Sequence, residues 1–228
     1  MADHRALRYC LSRGLTYDIL EAFQIGWCPP ESVYDRWRGR ILFPICNAQG
    51  EVVTYQGRAV DPNIEPKYLH GTSDAFHKST TLFGLSQALS AVKATGVLQV
   101  WEGPIDACLA WKMGRAAVAS LGTSFSLMQA VLCGFMTSRV LICSDNDHAG
   151  TQFAGMQMER LTAVGISSCR LLLPTKDLGD AVTTYGTAEA ERCLQRAEEQ
   201  GFETMGWNRI LAHHRLGARN NQRRSVLG

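Results

Sequence analysis

Six carboxylates fall in three short clusters: Glu102 and Asp106 in EGPIDA (102–107), Asp145 and Asp147 in SDNDHAG (144–150), and Asp177 and Asp180 in KDLGD (176–180). Each cluster follows an apolar run of strand length. Strands joined by helical crossovers would bring all three to one carboxyl edge, where open α/β sheets place their chemistry. Carboxylates gathered there repel one another unless a cation sits between them. Hard oxygen ligands without cysteine or histidine partners favour Mg²⁺ or Mn²⁺ over zinc. In an extended turn, Asp145 and Asp147 can reach the same cation or two neighbouring ones. Asn146 between them tolerates a left-handed backbone, and Ala149-Gly150 permits close backbone approach. A divalent cation held there would orient a nucleoside triphosphate and neutralise charge as a 3′-hydroxyl attacks the α-phosphate. Alone, SDNDHAG also reads as a polar loop capping a helix; its pairing with EGPIDA favours the catalytic reading.

The pattern after about residue 95 supplies the elements these acids need. Val97 to Trp101 reads as a strand, and Pro104 opens a helix through Met113, at a position where its missing N–H is harmless. Ala116 to Ser120 reads as a second strand. Ser126 with Gln129 three residues on has the spacing of a capping box. Arg139 to Ser144 is a third strand, Ala149 to Val164 a helix and Cys169 to Leu173 a fourth strand. The alternation predicts an α/β fold with a largely parallel sheet flanked by helices.

The first 94 residues are less regular and read as a smaller α+β subdomain. Leu7 to Ser12 and Tyr17 to Phe23 predict two short helices, the second capped by Thr16. Ile41 to Ile45 and Val52 to Gln56, joined by Asn47-Ala48-Gln49-Gly50, predict a β-hairpin. Residues 61–81 are rich in turn formers and carry Lys67, His70, His77 and Lys78. Residues 183–228 are expected to be a helical segment and a basic tail.

Composition narrows the class further. The 228 residues are 46% hydrophobic and 19% charged, which excludes disorder and low complexity. No apolar run approaches the roughly 18 residues of a membrane span, and MADHRALRYC does not resemble a secretion signal. A soluble, cytoplasmic protein without membrane partners is the expectation. The eight cysteines stand at least ten residues apart, so no zinc-clip spacing exists and reduced core residues are expected. The tail from residue 208 carries five arginines and no acid, +5 against −3 elsewhere, which suggests polyanion contact.

EGPIDA and SDNDHAG, with ASLGTS (119–124) between them, resemble the TOPRIM domain shared by topoisomerases and DnaG-type primases. Upstream, RGLTYDILEAFQIGWCP (13–29), RWRGRILFPICNAQGEVVTYQGRA (36–59), PKYLHG (66–71) and FHKSTTLFGL (76–85) are similar, in order and spacing, to the RNA polymerase domain of bacterial and phage primases. The resemblance runs from about residue 7 to 182. It implies an N-terminal primase subdomain over 1–94 and a TOPRIM catalytic domain over 95–182. Carried over by position, it makes Glu102, Asp145 and Asp147 catalytic and metal-binding, with Asp106, Asp177 and Asp180 completing the metal cluster. Arg38, Arg58, Lys67 and Lys78 match basic positions along the template and nucleotide path; Arg215, Arg219, Arg223 and Arg224 form a nucleic-acid tail. The implied activity is template-directed synthesis of short RNA primers on single-stranded DNA from NTPs with Mg²⁺ or Mn²⁺ and no zinc. A replicative helicase or a separate initiation factor is the implied protein partner.

Some positions depart from the family pattern. Asn146 and Gln56 stand where glycine is usual, and Gly179 where an acid is frequent, with Asp180 as its substitute. The stretch between Pro30 and Tyr34 is short, as though a helical insertion were lost. With neither a zinc-binding nor a helicase-binding domain expected, the implied protein is a minimal, phage- or plasmid-like primase. A TOPRIM nuclease, which would use water as nucleophile, is one alternative. A catalytically silent module binding single-stranded nucleic acid is another. His148 could touch phosphate but reads first as a solvent-facing histidine at a helix start, His213-His214 lacks an acidic or cysteine companion for a metal site, and Trp37, Tyr55 and Trp101 are expected to pack in the core.

Overall fold

The computed structural model describes residues 4–71, 77–122 and 124–207. The chain opens with α1 (His4–Ser12) and α2 (Tyr17–Ala22). Thr16 holds the N-cap position of α2, but its hydroxyl donates to the Asp18 carboxylate instead of accepting from the helix backbone, so the predicted cap is not formed. Four strands follow: β1 (Gly26–Cys28), β2 (Arg40–Cys46), β3 (Val52–Ala59) and β4 (Tyr68–His70). They pair antiparallel in the order β1-β2-β3-β4. The predicted hairpin is β2–β3, with Ile41 opposite Arg58 and Phe43 opposite Gln56. Cross-strand partners lie on one face of a sheet. That face carries buried Ile41 and Phe43 on β2, then Gln56 and Arg58 on β3, then His70 and Tyr68 on β4.

Beyond α3 (Leu85–Thr95) come β5 (Leu98–Trp101), α4 (Pro104–Lys112), β6 (Ala117–Ala119) and α5 (Leu127–Met136). Then follow β7 (Arg139–Cys143), α6 (His148–Ala163), β8 (Ser167–Arg170), α7 (Leu178–Tyr185) and α8 (Thr187–Thr204). The four strands form a parallel sheet in the order β6-β5-β7-β8. Ser126 and Gln129 form the expected capping box at α5. The last strand begins two residues before the expected Cys169–Leu173 and ends at Arg170: Leu171 N still donates to the Ile142 carbonyl at 2.8 Å, but Leu173, though buried, lies past the ladder. Apolarity alone cannot mark where pairing stops.

Strand periodicity divides the core between the two faces of this sheet. Leu98, Val100, Val118, Val140 and Ile142 pack with Val92 of α3, Cys133 of α5 and Phe153 and Leu161 of α6. Trp101, Leu141, Cys143 and Cys169 face the other way, towards Leu109 of α4, Ala181 of α7 and Leu194 and Phe202 of α8. That second cluster continues into Ile19 of α2 and Ile41 and Phe43 of β2. Phe83 joins the two parts, stacking on Phe23 at 5.3 Å and meeting Phe43 edge-on at 6.0 Å. All eight cysteines are free; six are buried and Cys46 and Cys193 are partly so.

One polar chain crosses the second cluster. Arg115, 4% exposed, donates from Nη2 to Glu198 Oε2 at 2.9 Å, and Gln99 Nε2 donates to Glu198 Oε1 at 2.5 Å. Trp101 Nε1 then donates to Gln99 Oε1 at 3.1 Å. A charge pair this deep in apolar surroundings is sustained only when its remaining hydrogen-bonding capacity is met. Among the described residues no helix is long and apolar enough to cross a membrane.

Candidate active site

The carboxyl edge of the parallel sheet opens into a cleft of about 540 Å³. Glu102 directly follows β5, and Pro104 at the first position of α4 turns the chain so that Asp106 lines the same cleft. Asp145 follows β7, while Asp177 and Asp180 follow β8; all three line the cleft. Asp147 is not among the residues lining the cleft; it reaches Lys176, which is, at 3.9 Å, and caps α6, its Oδ1 accepting from Gly150 N at 2.8 Å. Asp177 caps α7 in the same manner, accepting from Asp180 N at 2.6 Å. Both aspartates therefore have a helix-capping task as well as a place among the acids.

The loop holding Asp145 is fixed from several sides. Arg170 of β8 donates from Nη2 to the Asp145 carbonyl and from Nη1 to Thr151 Oγ1, both at 2.8 Å. Asn146 is not in the left-handed region; its Nδ2 donates to the Leu173 carbonyl at 3.1 Å and its N–H to the Lys176 carbonyl at 2.7 Å. It stitches two acidic loops together, which explains an amide side chain better than backbone freedom does. Gly150 bears out the expected close approach: a Cβ there would lie 2.0 Å from the Asp145 carbonyl oxygen.

Electrostatically the acids are strained. Burial, reinforced by Asp177, pushes Asp106 up to about 7. Burial also raises Glu102, with Asp145 and Asp147 adding to it, and raises Asp145, with Asp177 adding to it. Lys176 answers part of this repulsion: its Nζ stands 3.4 Å from Asp145 Oδ2 and 3.9 Å from Asp147 Oδ2. Asp145 in turn holds the lysine above its usual range. Asp106 Oδ1 accepts from Gly179 N at 2.9 Å, so the glycine in KDLGD serves as a backbone donor at this position. Among the described residues no three acidic, cysteine or histidine side chains close into a ready metal cage.

The opposite wall is basic and comes from the N-terminal part: Arg58 on β3, Lys67 just before β4 and Lys78 beyond it. Arg58 is buried between the rings of Tyr68, 4.8 Å away, and Tyr9, 5.3 Å away, and bonds the Tyr68 hydroxyl. Lys67 is pulled down first by Arg58, then by burial, Arg13 and Lys176, so these cations share one space. Lys78 also lines the cleft. Arg38 does not: it pairs locally with Asp35 at 2.5 Å and with the Ser32 carbonyl at 2.6 Å. Sequence reasoning missed Arg13, Gln56 and Lys176, all cleft residues. Of these, Lys176 was signalled by its place in the KDLGD cluster, whereas Arg13 follows a distant helix. Trp101 is buried as expected, but Tyr55 is partly exposed and meets Trp37 edge-on. His148 is exposed at the start of α6. Arg215, Arg219, Arg223, Arg224 and His213-His214 lie outside the described residues.

Residues 30–89 match the family described as DNA primase catalytic core, N-terminal domain, and residues 99–182 match the Toprim-like family. The chain belongs to the DnaG-type primase catalytic cores. The DNA primase of Enterococcus faecalis is 30% identical over 97% of this chain and 41% of that protein. That of Escherichia coli K12 is 32% identical over 68% of this chain and 32% of that protein. The chain thus spans less than half the length of these relatives. Among solved structures, an E. coli primase catalytic core superimposes with a TM-score of 0.72 at 28% identity, covering 84% of this chain and 72% of that one. A DnaG catalytic domain bound to single-stranded DNA gives 0.72 at 28% identity, covering 85% and 74%. The parallel sheet coincides with the Toprim-like match, and β2, β3 and β4 fall within the N-terminal-domain match.

Proposed function

We propose that this chain synthesises short RNA primers on single-stranded DNA by template-directed, divalent-metal-dependent nucleotidyl transfer. The observation that carries the reading is one cleft with two opposed walls: Glu102, Asp106, Asp145 and Asp177 on the Toprim side, Arg58, Lys67 and Lys78 on the other. Residues 1–94 would supply the basic wall, 95–182 the acidic one, and 183–228 a buttressing helix and a basic tail.

The acids fit a divalent cation. Their donor set is all oxygen, burial and mutual repulsion raise Glu102 and Asp145, and an ammonium already stands between Asp145 and Asp147. Glu102, Asp145 and Asp147 would hold Mg²⁺ or Mn²⁺, with Asp106, Asp177 and Asp180 around them. When bound, such an ion supplies Lewis-acid activation of a phosphoryl oxygen and neutralises charge in the transition state. Arg58, Lys67 and Lys78 would bind the triphosphate and the template phosphates, as charge-assisted donors do. Asp106, pushed up to about 7, is placed to exchange a proton with the cleft near neutrality. The reading places the protein in the cytoplasm beside replicating DNA, with a helicase or initiation factor as partner.

Incorporation of labelled NTPs on single-stranded DNA with Mg²⁺ or Mn²⁺ tests this. Short RNA from the native chain and none from Asp145→Asn is the expected result. Cleavage of DNA without NTPs would replace the reading with a Toprim nuclease. Binding without products, unchanged in Asp145→Asn even on a preformed primer, would leave a silent binding module.

A further inference from the structure

The cleft holds a second polar group that neither wall uses. Gln56 is 3% exposed on β3, and its Oε1 is buried with no hydrogen-bond partner among the described residues. His70 stands directly across the ladder on β4, and its Nδ1 is buried without a partner as well. Both side chains line the cleft. Buried polar atoms are almost always paired, so two orphans side by side in a binding cleft point to a ligand that completes them. Burial and the neighbouring Lys78 favour the neutral ring of His70, a form that offers one donor and one acceptor.

Position says which part of a ligand would arrive there. Gln56 and Arg58 share a face of β3, two residues apart, which separates them by about 7 Å. That is about the reach from a nucleotide's phosphate to its base. With the phosphates at Arg58 and Lys67, the base falls over Gln56 and His70. A carboxamide presents an acceptor beside a donor and pairs two-point with the N6 and N7 edge of adenine.

We propose that Gln56, supported by His70, is a base-reading residue that selects adenine in the nucleotide held by this cleft. This rests on the primer-synthesis reading and names a specificity determinant within it. Adenine can come from the incoming NTP or from the template, and the two arms of the test separate these sources.

The test measures equilibrium binding of the four NTPs with Mg²⁺, and of four single-stranded oligonucleotides differing at one base, to the full chain. Native protein is compared with Gln56→Leu and Gln56→Glu, and inorganic triphosphate serves as a base-free control. The native chain is expected to favour the adenine member of one series by about tenfold. Gln56→Leu should abolish that preference, keep its affinity for inorganic triphosphate and melt at a higher temperature in the absence of ligand, because an unpaired buried amide is replaced by an apolar group. Gln56→Glu, which keeps the shape but only accepts, should move the preference towards cytosine. Equal binding of all bases by the native chain, the orphan atoms being met by a buried water only, overturns the proposal. So does a preference unchanged in both variants. Failure of the native chain to bind even triphosphate would instead bring down the primer-synthesis reading on which it rests.

Discussion

Lys176 Nζ lies 3.4 Å from Asp145 Oδ2 and faces Asp147 Oδ2 at 3.9 Å, so an ammonium stands in the space between the two aspartates of the DND loop. A lysine there lowers the repulsion among the acids and competes with any cation they bind. Lys176→Met is expected to tighten Mn²⁺ binding by up to about fivefold, since a partly exposed ion pair is worth ~0–1 kcal/mol. Titration calorimetry checks this, and weaker binding in the variant would show that the lysine assists the metal.

Asp106 links the cleft to pH. Its carboxyl, raised from 3.8 to about 7 by burial and Asp177, is protonated in the folded chain where the unfolded chain has released its proton. The unfolded state therefore binds fewer protons between these values, and stability falls as pH rises from about 4 through about 7. Asp106→Asn, which keeps an acceptor for Gly179 N, should flatten that fall and make the metal-free protein more stable at pH 8. Denaturant titrations across this range measure it; an unchanged slope would mean that Asp106 is not the group responsible.

Gly150 tests the close approach beneath Asp145. A methyl group there would overlap the Asp145 carbonyl, the oxygen that also accepts from Arg170. Gly150→Ala is expected to destabilise by ~1–3 kcal/mol, as forced overpacking does. NTP incorporation should be lost even at temperatures where the variant is folded, because Asp145 must shift. Thermal melts paired with activity at low temperature distinguish the two effects.

The basic wall predicts a salt dependence. If Lys67 contacts a template phosphate, Lys67→Gln lowers the slope of log affinity against log salt for single-stranded DNA by ~0.7. Arg38→Gln, whose guanidinium is occupied by Asp35 and the Ser32 carbonyl away from the cleft, should leave that slope alone. Fluorescence anisotropy over a salt series reads both.

Breaking the buried pair under the parallel sheet should be costly. Arg115→Met leaves Glu198, 2% exposed, without its partner and is expected to destabilise by ~3–5 kcal/mol. Arg115→Met with Glu198→Leu should recover much of the loss. Chemical denaturation of the single and double variants gives the coupling.

What the sequence conveyed follows from what is local in it. β5 and β7 stand out as short apolar runs that the parallel sheet buries on both faces, and the acids could be placed because they directly follow those strands. α7 was hidden by Gly179 and the run Val182-Thr183-Thr184, and β4 is three residues long, too short for a period to show. Arg38 was assigned to the cleft by resemblance, yet Asp35 three residues away claims it. Arg13 and Gln56 reach the cleft through pairing and packing between distant segments, which no run of neighbours reveals.

The chain of bonds from Glu198 through Gln99 to Trp101 sets a boundary for anyone cloning a shorter piece of this protein. Cutting where the Toprim match ends, at residue 182, would remove Glu198 and Phe202 and leave Arg115 and Gln99 without their carboxylate partner, Gln99 being three residues before Glu102. A fragment that purifies well should therefore run past Thr204, and a protease nick inside Thr187–Thr204 should silence the cleft without touching any residue in it.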